Sequence, residues 1–354
     1  MMNRPGKQRG VVILVVLGII AVATVSAVNM QSSQSLTVRR FQGYQNIQQA
    51  EAIAAAAERF AAATLFRDAP ENDAVDSRED SWAIAIPPLP VAGGTISGCV
   101  YDLQGQFNVN NLVDDNGVAD PAQLAVFSRL LDALALNRDI GRALVDWLDS
   151  DAEPQLEGGG AELETYVAQV PPYRPANRPM VSTTELRQVH GLNGSEEEAL
   201  EAYEALLPFV VALPRGTSIN VNTASPELLS ALSDDLSSHG DTLHRWPDEG
   251  WTQFPRCGEG VDVADAISGS VDSDGEDRTP YETVDAFITA STLDVDGQNK
   301  TLSDAVKNLL SVSSTHFLVR ADIEFGGSNM TQYSVLQRET DGRSTVLRRW
   351  QSLD

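Results

Sequence analysis

Residues 11–38 carry no charged side chain, while the ten residues before them hold three basic ones, Arg4, Lys7 and Arg9, and no acid. The first part of that run, residues 11–30, is mostly Val, Ile, Leu and Ala. At about 1.5 Å per residue it forms a helix long enough for the ~30 Å hydrocarbon layer of a bilayer. Basic flanks stay cytoplasmic, so everything after residue 31 faces the opposite compartment. A cleavable secretory signal is the simpler reading, with Val25, Ser26 and Ala27 as a small-residue cleavage site. Against it, the apolar stretch exceeds the ~7–15 residues usual for such signals, and Gly10 sits where charge ends.

From residue 31 to 66 only Gly43 interrupts the chain, and residues 48–65 are rich in Ala, Gln and Glu. These are strong helix formers, so one helix runs from the membrane into the far compartment. A short basic leader ending in Gly, then an apolar helix that turns amphipathic, resembles the class III signal of type IV pilins and pseudopilins. The resemblance implies that a prepilin peptidase cuts after Gly10 and methylates Val11 as the new N-terminus. Most members carry Glu at the fifth mature position, which here is Val15. A carboxylate in the bilayer costs ~2.5–3.5 kcal/mol and persists only with a partner; in that family the partner is the terminal amine of a neighbouring subunit. A chain lacking it suits the end of a filament, and this absence resembles the K-type minor pseudopilin of type II secretion.

A chain of 354 residues allows two globular units beyond the helix. Loss of the three leader bases would take the formal charge from −25 to −28. Such acidity disfavours nucleic acid and leaves carboxylates for divalent cations or simply for solubility. Of the two cysteines, Cys99 and Cys257, an oxidising compartment permits a disulfide; Cys99 equally suits a small buried core position.

Strand-like zones flank a helical middle. Trp82, Ile84 and Ile86 alternate before a stop at Pro87 and Pro88, and residues 95–110 read as extended with a turn at Gly105. At the far end Phe317, Val319, Ala321, Ile323 and Phe325 alternate with Arg320, Asp322 and Glu324, a half-buried strand. Turns at 326–329 and at Asp341-Gly342 make the end a three-strand meander. Between them Asp120-Pro121, Ser182, Ser195 and Ser225-Pro226 are helix starts, and the acidic, Gly-rich residues 234–277 read as a long loop. The predicted fold is therefore α+β. A leader (1–10) and a long helix (11–66, transmembrane over 11–31) precede the first half of a small antiparallel sheet (67–111). An all-α domain (112–310), SAM-like as the K-type resemblance implies, is inserted between strands, and the meander (311–354) completes the sheet.

The K-type subunit, in which a helical domain interrupts the pilin sheet, is similar in this order and in local motifs. The matching segments are 102–112, 146–151, 158–162 with Tyr166, 172–180, Glu185-Leu186 and 219–224. The resemblance implies a single-pass inner-membrane protein with a periplasmic globular part, capping the tip of the secretion pseudopilus and helping initiate its assembly. Implied partners are the I- and J-type minor pseudopilins, then the H type, with prepilin peptidase, and the secreted substrates or outer-membrane secretin as further contacts. The alternative is a membrane-anchored periplasmic binding module for DNA or polysaccharide.

Asp146, Asp149 and Asp151 fall within six residues, and Glu157 and Glu162 follow around a Gly-rich turn. Clustered carboxylates repel one another unless a cation sits among them, and a flexible loop of hard oxygens suits calcium. No EF-hand fits, because from Asp149 the sixth position is Pro154 and the twelfth Gly160. A solvated acidic helix end is the competing reading. The K-type resemblance implies calcium held by Asp149, Asp151 and Glu162, together with Asp146. Residues 272–277 and 294–299 also have calcium-like spacing, which Asp-Gly turns produce for conformational reasons alone. The segment 219–229 resembles the opening of a helix-hairpin-helix DNA module, but Asp234 and Asp235 stand where a Gly-rich, phosphate-binding hairpin belongs. With four histidines and no HExxH, P-loop or Gly-x-Ser-x-Gly, no enzyme is expected.

Overall fold

The computed structural model describes residues 9–69, 75–154, 159–193, 197–243, 245, 279–295 and 298–353. Its first element is α1 (Arg9–Asp68), one helix of 60 residues. From Val12 onward the first half is apolar and exposed, and it is long and apolar enough to cross a membrane once. In the second half Ala50, Ala54, Ala61 and Leu65 are buried. Their spacing by four, seven and four places them on one helix face. Small side chains there let the helix lie close to the sheet. Ala50 and Ala54 pack with Ala321, Ile323, Phe325 and Met330; Ala61 and Leu65 pack with Trp82, Phe317, Val319 and Leu336. Leu65 is fully buried while Phe60, one turn earlier, is 57% exposed. Leu65→Ala is therefore expected to cost about 2–5 kcal/mol in urea unfolding, and Phe60→Ala no more than ~0.5 kcal/mol.

The strands in chain order are β1 (Ile86–Val91), β2 (Gly94–Asp102), β3 (Phe107–Asn108), β4 (Val210–Val211), β5 (Ile219–Asn220), β6 (Leu293–Val295), β7 (Gln298–Lys300), β8 (Leu310–Ser311), β9 (His316–Phe325), β10 (Ser328–Arg338) and β11 (Ser344–Leu353). Five of them form the main antiparallel sheet in the order β1-β2-β9-β10-β11. The alternation of 317–325 is realised in β9, with Phe317, Val319, Ala321, Ile323 and Phe325 buried towards α1. Leu318, on the other face, is buried with Leu103, Val211, Leu213 and Val335. β9, β10 and β11 make the expected closing meander. The opening strand differs from expectation. Residues 81–83 are a turn, with buried Trp82 donating its Nε1–H to Asp80 Oδ2 at 3.1 Å. Pro87 and Pro88 do not stop a strand; they lie inside β1. An edge strand tolerates them because only one side of its backbone must pair.

β2 and β9 are neighbours in the sheet although the whole insertion separates them, with Asp102 opposite Phe317. The insertion is mainly helical. Its helices include α2 (Pro121–Ala133), α3 (Asp139–Leu148), α4 (Leu163–Val167), α5 (Glu197–Leu206) and α6 (Pro226–Ser230) around one apolar core. Asp120 caps α2 by accepting from Ala122 N at 2.8 Å and Gln123 N at 3.1 Å, and Ser182 forms its expected capping box with Glu185. Ser195 lies outside the described residues. The insertion is not purely α, because it also holds short paired strands: β3 with β4 and β5 with β8, both parallel, and the β6–β7 hairpin. Within the acidic 234–277 stretch, Asp234–Leu236 and Gly240–Leu243 are helical turns with Leu236 and Leu243 buried; residues 246–277 lie outside the described residues. Asp234 and Asp235 face Arg129 and Lys300 at 3.9 and 2.7 Å.

The polar motif that follows β2 joins the sheet to the insertion. Asp102 Oδ2 accepts from Asn220 Nδ2 at 3.0 Å and from Thr223 and Ser314 hydroxyls at 2.6 Å each. Burial pushes this carboxyl up from its ordinary value, opposed by these hydrogen bonds. Asn108 and Asn110 clamp the segment after β4, donating to Pro214 O and Leu213 O at 2.9 and 2.8 Å. Buried amides of this kind satisfy backbone groups that a loop would otherwise leave unpaired. Cys99, on β2, is disulfide-bonded; the chain's other cysteine, Cys257, lies outside the described residues.

Candidate cation site

Helix α3 is strongly one-sided and ends in Asp146, Trp147 and Leu148, all buried. Asp149 caps it in extended conformation, its N–H still bonded to Val145 O at 2.9 Å. The chain returns through Gly159 to Glu162, the residue before α4. Asp149, Asp151 and Glu162 each offer a carboxylate oxygen, all within 4.8 Å of one another. Asp149 is 2% and Glu162 8% exposed, while Asp151 faces solvent. Asp149 Oδ1 and Glu162 Oε1 are buried without a hydrogen-bond partner. Such orphaned carboxylate oxygens are costly unless something cationic meets them. Burial, with Asp151, Asp146 and Glu162 adding repulsion, pushes Asp149 up to about 7. Burial and then Asp146 push Glu162 up to about 7 as well.

Asp146 stands behind this trio. It is fully buried, and its Oδ2 accepts from Ala161 N at 2.6 Å. It thereby sets the backbone that delivers Glu162. The floor is aromatic: Trp147 and Tyr166 meet edge to face at 5.3 Å, and Tyr166 and Tyr173 lie 5.3 Å apart. The 172–180 segment closes the side, with Asn177 donating its N–H to Trp147 O and its side-chain amide to Asp151 O, both at 3.0 Å. Gly159 has φ +79, and a Cβ there would sit 2.5 Å from Asp139. Both backbone conformation and space therefore demand glycine. Gly159→Ala is expected to destabilise by more than ~1 kcal/mol and to weaken any ion held by Glu162, read by calorimetric titration.

Gly10 and Val11 lie at the start of α1. Residues 272–277 lie outside the described residues, and 294–299 fall on the β6–β7 hairpin, where Asp294 pairs with Asn299. A second acidic group was not legible beforehand: Asp68, Asp76 and Asp80 also bring oxygens within 4.8 Å. It already holds a cation, the Arg338 guanidinium, paired with Asp76 and 3.9 Å from Asp68. No local spacing announces it, because Asp68 ends α1 while Arg338 ends β10, far apart in the chain.

The family model for protein K of the type II secretion system matches residues 105–215. The type II secretion system protein K of Pseudomonas aeruginosa is 31% identical over 353 residues, covering 97% of this chain and 92% of that protein. That of Klebsiella pneumoniae is 30% identical over 361 residues, with 97% of each chain covered. A chain in the crystal structure of the GspK-GspI-GspJ complex from the enterotoxigenic Escherichia coli type 2 secretion system superposes with a TM-score of 0.62. It shares 25% identity, and the match covers 89% of this chain and 99% of that one. A DNA- or polysaccharide-binding module finds no support in these matches. With its apolar leading helix, its antiparallel sheet and likeness along nearly its whole length, the chain belongs to the type II secretion system protein K family, as a minor pseudopilin.

Proposed function

We propose that this chain caps the tip of the type II secretion pseudopilus, helps initiate its assembly and works as a subunit rather than as an enzyme. The carrying observation is the shape of α1: its apolar half is exposed, and its other half is fixed to a head much wider than a helix. An exposed apolar rod in the inner membrane is stabilised by packing against similar rods. The head lies periplasmic on this reading and blocks addition above it. Val15 leaves no carboxylate to pair with the amine of a subunit on top. The similar chain was solved together with GspI and GspJ, which supports I- and J-type pseudopilins as the direct neighbours, with the H type below. Prepilin peptidase would act between Gly10 and Val11 and methylate Val11. Secreted substrates and the outer-membrane secretin are the contacts above the head.

Calcium fits the carboxylate site. Asp149, Asp151 and Glu162 would hold it, and Asp146 would keep Ala161 and Glu162 in place. The ion supplies the positive charge that lets the two buried carboxylates ionise together, and so gives the 149–162 loop one shape. Its role is structural.

Two measurements test this reading. N-terminal sequencing of the membrane-extracted protein should begin at methylated Val11; a start at Val28 would mean ordinary secretion. Co-expression with the I- and J-type pseudopilins should yield a complex containing all three after detergent extraction, and recovery of this chain alone would refute the assembly role.

A further inference from the structure

The two edges of the main sheet are unequal. β1 carries Pro87, Pro88 and Pro90, which cannot donate to an added strand and close that edge. β11 has no proline, and beyond the bulge at Leu347 it pairs regularly with β10 from Arg348 to Leu353. Among the described residues no backbone hydrogen bond reaches its outward side. Charge on an edge strand normally repels unwanted strands; two arginines, Arg348 and Arg349, lie on β11, and Arg343 just precedes it. Arg349 is matched by Glu58 at 2.7 Å and Arg343 by Asp341 at 3.4 Å. Arg348 is different. Its guanidinium donates to Val181 O and lies 4.7 Å over the Trp350 ring, with Nε buried and unpartnered. Burial alone lowers it from its ordinary value, with no carboxylate opposing the shift.

Beside Arg348 is a cavity of about 70 Å³ between the sheet and the insertion, lined in part by Gln106, Val211, Leu318, Val335 and Trp350. Gln106 is anchored by its amide N–H to Pro208 O at 2.6 Å, which leaves Oε1 as a buried acceptor without a donor. Arg348 and Gln106 thus both border a cavity with an apolar wall, each carrying one covered polar atom, Nε and Oε1, without a hydrogen-bond partner.

We infer that the Arg348–Leu353 edge and this cavity together form a docking site for an extended acidic segment of a partner protein. The segment adds a strand to β11, aims a Glu or Asp side chain at Arg348 Nε, and offers an N–H or O–H to Gln106 Oε1. Strand addition supplies affinity through main-chain bonds, and the pocket supplies specificity. The single unmatched arginine selects the charge: a basic or neutral strand leaves it desolvated and unpaired.

The test uses the full chain in detergent with two fluorescent hexapeptides, Val-Glu-Val-Glu-Val-Thr and its Lys-for-Glu counterpart. The acidic peptide should bind, the basic one should not, and amides 348–353 should gain hydrogen-exchange protection only with the acidic peptide. A hydrogen bond to a charged group is worth about 1.5–3 kcal/mol, so Arg348→Gln should weaken binding about tenfold or more. Arg348→Glu should reverse the preference towards the basic peptide, with an unchanged thermal midpoint showing that the sheet persists; if it does not fold, Arg348→Gln carries the test. Failure of the acidic peptide to bind, equal binding of both peptides, or binding without protection of 348–353 overturns the inference. So does displacement by free glutamate at the peptide's own concentration, which would make carboxylate capture alone sufficient.

Discussion

Replacing Arg338 by methionine is expected to lower stability by about 3–5 kcal/mol, since it leaves buried carboxylates without their cation. Arg338 is 6% exposed; it pairs with Asp76, donates to Ser314 O at 2.7 Å and lies 4.9 Å over the Phe317 ring. Asp76 is 1% exposed and, besides Arg338, accepts from Ser314 N at 2.7 Å. Its backbone is bonded to Val312 and Asn220. One guanidinium therefore ties the end of α1, the loop after it, the end of β10 and the edge of the insertion. The thermal midpoint should fall by about 10 °C. Burial followed by Asp80 and Asp76 pushes Asp68 up to about 6. A carboxyl raised in the folded state binds its proton more tightly there, so its destabilising effect grows as pH rises from about 4 and is complete above about 6. The Arg338→Met deficit should consequently shrink between pH 7 and pH 5. A deficit below ~1 kcal/mol at pH 7, or one that grows on acidification, contradicts this account of the joint.

Removing the calcium proposed for the Asp149–Asp151–Glu162 site is expected to have the next largest effect. An ion at one hundred times its dissociation constant contributes about 2.7 kcal/mol, so a chelator should lower the midpoint by about 5–10 °C. The pH dependence has a definite sign. Asp149 and Glu162 are both pushed up to about 7 by burial and neighbouring acids. In the chelated protein each therefore destabilises progressively as pH rises from its unfolded value, near 4, through about 7. Calcium competes with those same protons and binds better over the same interval. The difference between calcium-loaded and chelated midpoints should widen from pH 5 to pH 8. Asp149→Asn should abolish the calcium response and stabilise the chelated protein at pH 8. A midpoint indifferent to both calcium and Asp149→Asn would remove calcium from the account.

The parts of the fold that rest on local pattern were legible in the sequence. The charge-free run and the Ala-rich continuation forecast one helix to residue 66, and α1 ends at Asp68. Alternation forecast β9, and capping chemistry forecast the starts of α2 and α6. What escaped depends on contacts between distant residues. The prolines of β1 read as a stop because sequence cannot show that the strand lies at an edge. The two-residue pairings of β3 with β4 and β5 with β8 carry no periodicity. Carboxylates with suitable spacing were visible around Asp149, but spacing did not reveal that Asp146 Oδ2 accepts from Ala161 N behind the trio. The Asp68–Asp76–Asp80 group, with Arg338 beside it, joins the segment at the end of α1 to the end of β10 and has no local signature.

The most direct test of the tip assignment is to locate this chain on assembled pseudopili. Filaments from cells producing the full set of pseudopilins, with an affinity tag on this subunit's exposed surface, are labelled with gold and imaged. One label at a single end of each filament is the expected result. Labels distributed along the length would contradict it.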